Sequence, residues 1–448
     1  LLTVPAFGFY AFQLVGNATL PDWHVPAPMP LPDYQTLVLR GAVDANALLP
    51  HLGTLERDVL PTWLSTRRWF AAKDRALRGV RIARRTPLPG PDGLTLLEIE
   101  AELEHGEHER YILPLGIVWD REQPSVLAEQ LALARVRHGR EVGYLTDGFA
   151  LKSLTRTMLG ALRERTVLSI DGESHAGADA APEQIRFCAT QALAAVAIAD
   201  DAEIRWLSAE QSNSSLIVGD KAVFKLLRRV SAGANPEIEL GARLTEIGYA
   251  NAAPLFGHVT RVDAQGGETT LALLQGFVRN QGDAWRWTLD HLARGAEEYA
   301  AAQDDAARHE SVAGYDAFAE VVGRRLAELH DVLAQPTDAA AFAPQAVDVA
   351  AAQRVVAGVA HEVQAMWDTL VAHRDVSDDG ERAAVDALLA ERPRLDAWLQ
   401  QAPALLDGAL LTRVHGDFHL GQILVAFDDV VLIDFEGEPA KSLDERRA

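Results

Sequence analysis

The chain has 448 residues, 48% of them hydrophobic, a single cysteine and a formal charge of −22, which is enough apolar material for roughly two to four globular domains. The acidic balance excludes a broad nucleic-acid footprint, because phosphate neutralisation needs clustered Lys and Arg; an anionic ligand would need a local cationic site. Lone Cys188 excludes an internal disulfide, and no apolar run reaches the ~18 residues of a membrane span, so a cytoplasmic protein without membrane contact is expected.

The chain opens at Leu1 rather than Met, with LLTVPAFGFYAFQLVG. Aromatic and small residues alternate there (Phe7, Phe9, Ala11), as in a strand packed on one face. A strand without a sheet is unstable, so residues 1–20 are expected to be the last strand of a preceding domain, and the proline-rich stretch over 21–35 an extended linker. A small α+β unit over 36–130 follows. TLVLRG predicts a strand, LERDVLPTWLSTRRWF a helix with Leu55, Val59, Trp63 and Leu64 on one face, and GVRIARRTPLP and LTLLEIEAEL two strands around a PGPDG turn. ERYILPLGIVW is a further strand, and the basic cluster Arg67, Arg68, Lys73 and Arg75 reads as a solvated face.

Residues 131–275 form the next unit. DGESHAGADAAP (171–182) predicts a flexible loop, and Cys188 lies in a stretch read as helical, an inert thiol with no His or Cys at metal spacing. EIRWLSAEQSNSSLIVGDKAVFKLLRRV (203–230) alternates apolar runs with turn residues and predicts an antiparallel meander. Lys225 sits inside its last apolar strand, where an amine is costly unless paired. NPEIELGARLTEIG predicts a helix with Asn235 as N-cap, Pro236 at the first position and Gly248 at the end. Glu237 falls in the first turn, where the helix dipole alone accounts for a carboxylate; Glu239, deeper in the helix, is the expected partner of Lys225. From 276 the pattern changes to long Ala-rich amphipathic helices.

After those helices stands HGDFHLGQILVAFDDVVLIDFEGEP (415–439). Phosphoryl transfer needs a carboxylate for the acceptor hydroxyl, ligands for Mg²⁺ and a cation on the non-transferred phosphates. In the kinase pattern HRDxxxxN, the Asp is followed five residues later by an amide ligand for the metal, and a separate D-F-G Asp supplies the other. Here Asp417 is followed five residues later by Gln422, and VVLI then presents Asp434 in DFEG. QILVAF and VVLI predict a hairpin around Asp428 and Asp429 that returns Asp434 to the same end, while Lys225 closes the pocket from the sheet-rich half. His415 is either a substrate contact or a hydrogen-bonding prop of the loop.

HGDFHLGQ followed by DFEGEP resembles the bacterial maltokinases, relatives of the aminoglycoside phosphotransferase and choline kinase group. TLVLRG, RRWFAAKD, QSNSS, VFKLLRR and NPEIEL extend the resemblance over residues 36–448. It implies an α+β, bilobal protein-kinase-like fold with an N-terminal α+β cap: cap over 36–130, N-lobe with an intermediate region over 131–275, and helical C-lobe over 276–448. That lobe is expected to be incomplete, since maltokinases continue past DFEGEP. It also implies transfer from ATP, with Mg²⁺, to the anomeric hydroxyl of maltose, giving maltose 1-phosphate for α-glucan synthesis.

Carried over residue by residue, the resemblance makes Asp417 the base and Gln422 and Asp434 the Mg²⁺ ligands. Lys225 becomes the α/β-phosphate contact with Glu239 as its ion-pair partner, and Ser212, Asn213, Ser214 and Ser215 the phosphate-covering turn. Gln275, Phe277 and Val278 are placed at the adenine hinge, and His415, His419, Glu436 and Trp285 are weaker substrate candidates. Trp285 and Trp287 serve as sugar platforms or as core. LLTVPAFGFYAFQL resembles the final strand of trehalose synthase, which implies that enzyme as a fused or upstream partner. The rival readings are a related aminoglycoside- or choline-type kinase and a truncated ATP-binding module without turnover.

Overall fold

The computed structural model describes residues 34–447, apart from Ala45, Asp74, 171–181, 208–212, Gln303, 375–377 and 439–440. The expected opening strand over 1–20, nearly all of the linker and nearly all of the 171–182 loop therefore lie outside the described residues.

In the first sheet, Thr36–Val38 pairs in parallel with Ala132–His138. The sheet then runs antiparallel through Glu141–Asp147, His108–Trp119, Thr95–Leu103 and Leu77–Pro87. Leu97, Ile99, Ala101 and Leu103 recur every second residue and pack on Leu55, Leu60, Trp63 and Leu64 of the helical run over 49–65. This is the helix and the strand pair that the periodicity predicts. The sheet continues to Asp147, past residue 130, because Ala132–His138 and Glu141–Asp147 pair back into it; short strands do not show their partners in local pattern. The basic cluster is structural in part: Arg67 lies 4.7 Å over the Trp63 ring, and Arg75 pairs with Glu107 and Glu109.

A second sheet has the order Val167–Ser169, Gln184–Ala189, Leu255–Val262, Glu268–Gly276, Ala222–Leu227, Asn213–Val218, Ile204–Trp206. The meander over 203–230 is present, with Val218 paired to Ala222 across a turn in which Gly219 has φ +56°. Cys188 lies on the strand Gln184–Ala189, not on a helix. Ile185 and Phe187 point inward with period two, a signal too short to compete with the Ala-rich stretch behind it.

Two buried charge clusters join the sheets. Arg228, 1% exposed, donates to Asp147 at 2.6 Å and to Ser214 Oγ at 2.7 Å, between the rings of Trp69 and Phe149. Buried Glu98 accepts Arg84 at 3.1 Å and lies 3.0 Å from Arg261. Arg229–Val230 adds a strand from the second unit to the first sheet. Charges this deep are tolerated only when paired, so the seam is closed by chemistry as well as packing.

The remaining half is helical: Ala284–Ala301, Asp305–Leu333, Val349–His373, Asp379–Ala390 and Arg392–Leu405. After the helices comes the hairpin Ile423–Ala426 and Asp429–Leu432. Gln281 N donates to Val425 O, Val425 N to Gly282 O, and Leu432 N to Asn251 O, so the hairpin is tied both to the interlobe segment and to the N-lobe. The turn falls on Phe427 and Asp428; Asp429 begins the second strand and takes a bidentate pair from Arg325 at 2.6 and 2.8 Å. Asp429 is therefore an anchor to Asp305–Leu333 rather than a turn residue.

Candidate active site

Lys225 stands on Ala222–Leu227, flanked on both sides by paired strands. Its Nζ donates to Asp434 Oδ1 at 2.9 Å and to Glu237 Oε2 at 3.2 Å. Burial would lower the amine's pKa, but Glu237 and Asp434 outweigh it and hold the lysine well above its ordinary value. The cation that the sequence placed here is present, and it bridges the two lobes.

Its partner on the helix is Glu237, not Glu239. Pro236–Glu246 begins at an Asn235 side chain that accepts from Glu237 N and Ile238 N, as the capping residues predict. Positions 237 and 239 are about 200° apart around a helix, so only one can face the strand. Glu237 shares its buried stripe with Leu240, Gly241 and Leu244. Glu239 points the other way, to Arg413 at 3.2 Å and Arg447 at 2.7 Å. The i, i+3, i+4, i+7 spacing of that stripe was the signal that could have chosen correctly.

The loop that carries Asp417 runs from His415 to Gln422. Gly416 has φ +84°, and a Cβ there would sit 3.1 Å from Gly437 Cα, so both the handedness and the approach to the DFEG turn require glycine. His415 is 2% exposed; its Nε2 donates to Ile433 O at 2.9 Å, and Phe435 lies 4.8 Å away. Burial pushes its pKa down, so it is a neutral prop tying the loop to the strand end before Asp434, out of reach of a substrate. His419 is also local: its Nδ1 accepts from Gly421 N, capping the turn Leu420–Gln422. Asp417 is one-third exposed, with His419 Nε2 3.9 Å away, and has no tight partner among the described residues.

Asp434 adopts φ +65°, a left-handed conformation that Asp tolerates better than most residues and that re-aims its carboxylate toward Lys225. The Gln422 side chain hydrogen-bonds it, and although burial opposes ionisation, Lys225 holds its pKa below the usual range. Glu436 joins the group: carboxylate oxygens of Glu237, Asp434 and Glu436 lie within 4.8 Å of one another. Burial pushes the Glu436 carboxyl up to about 7. Hard carboxylate oxygens beside an amide oxygen suit Mg²⁺, so Asp434 and Gln422, with Glu436 adjacent, fit the cation that phosphoryl transfer requires.

Other placements differ from expectation. Ser214 and Ser215 lie within Asn213–Val218, paired with Leu226 and Lys225; the tight turn after Val218 sets this register and leaves only Asn213 at the strand's open end. Ser214 Oγ is held by Arg228, and Ser212 lies outside the described residues. The Gln275 side chain is engaged by the lysine pair: its Nε2 donates to Glu237 Oε1 at 3.1 Å. Phe277 N is spent on Lys221 O, while Val278 N has no backbone partner among the described residues. Trp287 packs 4.4 Å from Phe318, whereas Trp285 is exposed.

The chain is similar to known proteins in its cap and in its overall fold. The maltokinase N-terminal cap domain family matches residues 63–150. A glucosamine kinase of Streptacidiphilus jiangxiensis is 30% identical over 260 residues, covering 54% of this chain and 50% of its own. One from Mycolicibacterium smegmatis is 29% identical over 242 residues, 54% of each chain. The chain thus spans about half the length of the curated relatives it matches. A solved glucosamine kinase in complex with glucosamine, ADP and inorganic phosphate superposes with TM-score 0.51 at 21% identity, over 86% of this chain and 74% of that one; it shows the fold. The chain thus carries a maltokinase N-terminal cap domain over residues 63–150, is similar to glucosamine kinases over about half its length, and has a bilobal protein-kinase-like fold.

Proposed function

We propose that the cleft transfers the γ-phosphoryl group of ATP to a sugar hydroxyl, and that the sugar is maltose, phosphorylated at its anomeric oxygen. The observation that carries the reading is the convergence of Lys225, Asp434 and Gln422 between the two lobes, with Asp417 on the same loop as Gln422. Asp417 accepts the proton of the attacking hydroxyl as its oxygen bonds to the γ-phosphorus and the bond to the β,γ-bridging oxygen breaks, releasing ADP. Lys225 neutralises the non-transferred phosphates, and Asp434 with Gln422 would hold Mg²⁺, which supplies charge neutralisation on the phosphate oxygens. The cytoplasm as location and a trehalose synthase fused or upstream as maltose source belong to the same proposal; among the described residues no helix is long and apolar enough to cross a membrane.

The glucosamine kinases among the relatives favour a second reading, an amino-sugar acceptor. An acceptor panel separates the two. With ATP and Mg²⁺, the chain should give a maltose phosphate stable to base and labile to mild acid, as an anomeric phosphate is. Glucosamine phosphorylated in preference to maltose would overturn the acceptor assignment.

Gln275 gives a sharper test of the site's interior. Gln275→Met keeps the volume but removes the amide donor to Glu237, so the ion pair with Lys225 loses a support. A several-fold rise in the KM for ATP, with a smaller change in kcat, is expected from steady-state kinetics. An unchanged KM would show that the Gln275 contact is incidental.

A further inference from the structure

Glu239 does not pair with Lys225; it pairs with two arginines of the C-lobe. Its carboxylate accepts Arg447 Nη2 on Oε1 and Arg447 Nε on Oε2, both at 2.7 Å, and Arg413 Nη1 on Oε2 at 3.2 Å. Arg413 lies four residues before Asp417 on the approach to the loop that carries it, and Arg447 lies in the segment that follows DFEG. Two separate C-lobe elements therefore converge on one carboxylate of the N-lobe helix.

The convergence is not surface decoration. Arg413 is 5% exposed, stacks 5.3 Å over Phe342, and its Nε and Nη2 have no hydrogen-bond partner among the described residues. Its buried charge is therefore answered chiefly by Glu239, and losing that carboxylate would leave it uncompensated. The segment carrying Arg447 is itself held against the DFEG turn: Arg446 packs on Gly437 and donates to Glu436 O, and Leu443 lies against Gly233.

We infer that Glu239 is a positioning residue, an interlobe latch that sets the rotation of Pro236–Glu246 and thereby aims Glu237 at Lys225. The helix carries the two acids on opposite sides, so it reads both lobes at once: one acid faces the nucleotide lysine, the other the arginines of the C-lobe. Cutting the latch frees the helix to turn or draw back, and Lys225 loses one of its two carboxylates. The inference rests on the kinase reading for its functional meaning but not for its geometry.

The test reads Lys225 directly. Pulse acetylation of the full chain without nucleotide, followed by mass spectrometry, gives the labelling rate of each lysine. Arg447→Gln, at a partly exposed position, and Glu239→Gln are each expected to raise Lys225 labelling about fivefold or more, with Lys152 and Lys221 unchanged as internal controls. The double variant should label no faster than Glu239→Gln, since both changes cut one device. Unchanged Lys225 labelling in both single variants overturns the latch, as do additive effects in the double. MgADP binding by the unaltered chain is measured alongside: its absence would sink the kinase reading alone, because the labelling needs no ligand.

Discussion

Asp417→Asn is expected to reduce phosphoryl transfer by about 10²–10⁴-fold, the usual contribution of a positioned general base, while leaving MgADP affinity and the unfolding midpoint unchanged. The reasoning is local. Asp417 has no tight partner among the described residues and is one-third exposed, so the fold does not depend on its charge. The loop that presents it is fixed by other groups: His415 on Ile433 O, Gly416 against Gly437, and His419 on Gly421 N. The asparagine keeps shape and removes only proton affinity. Initial rates by coupled ADP release, with chemical denaturation in parallel, separate the two effects. A variant of equal turnover would remove Asp417 from the chemistry; one that also unfolds early would make it structural.

Asp147→Ala has the largest expected effect on stability. Asp147 is 0% exposed and Arg228 1%, and the substitution leaves the guanidinium buried between Trp69 and Phe149 with, among the described residues, Ser214 Oγ and a long contact to Ile112 O. Removing one partner of such a pair costs about 3–5 kcal/mol, and Asp147 also caps Phe149 N at 3.0 Å, which adds about 1 kcal/mol. Replacing both partners, as Asp147→Leu with Arg228→Met, should cost clearly less than the single change, because no charge is stranded. Urea unfolding of the three proteins checks the order. A single variant as stable as the unaltered chain would mean that water reaches the seam.

What the sequence made legible was what is encoded locally. The hairpin before Asp434, the helix capped by Asn235 and the meander around Gly219 each rest on residues a few positions apart. Gln422 and Asp434 come together because one hairpin connects them, and Asp417 stands on the loop that leads into it. Apart from Cys188, whose strand is too short to stand out locally, the misreadings concern contacts that cross between elements. Glu237 and Glu239 are both acids in a first turn, and choosing between them needed the stripe of Leu240, Gly241 and Leu244 rather than depth in the helix. Arg228 and Asp147 are 81 residues apart, and nothing in VFKLLRR distinguishes a buried arginine from an exposed one. Ser214 and Ser215 looked like turn residues because NSS is common turn chemistry; the pairing register moved them into the strand.

Calorimetric titration of ADP into the full chain tests the site most directly, since it requires no knowledge of the acceptor. Binding is expected with Mg²⁺, lost on adding EDTA, and weakened at least about tenfold by Lys225→Met and by Asp434→Asn, because on the proposed reading each removes a charge that the metal–nucleotide complex would contact. Binding that ignores Mg²⁺ and both substitutions, or no binding at all, would contradict the assignment of this cleft.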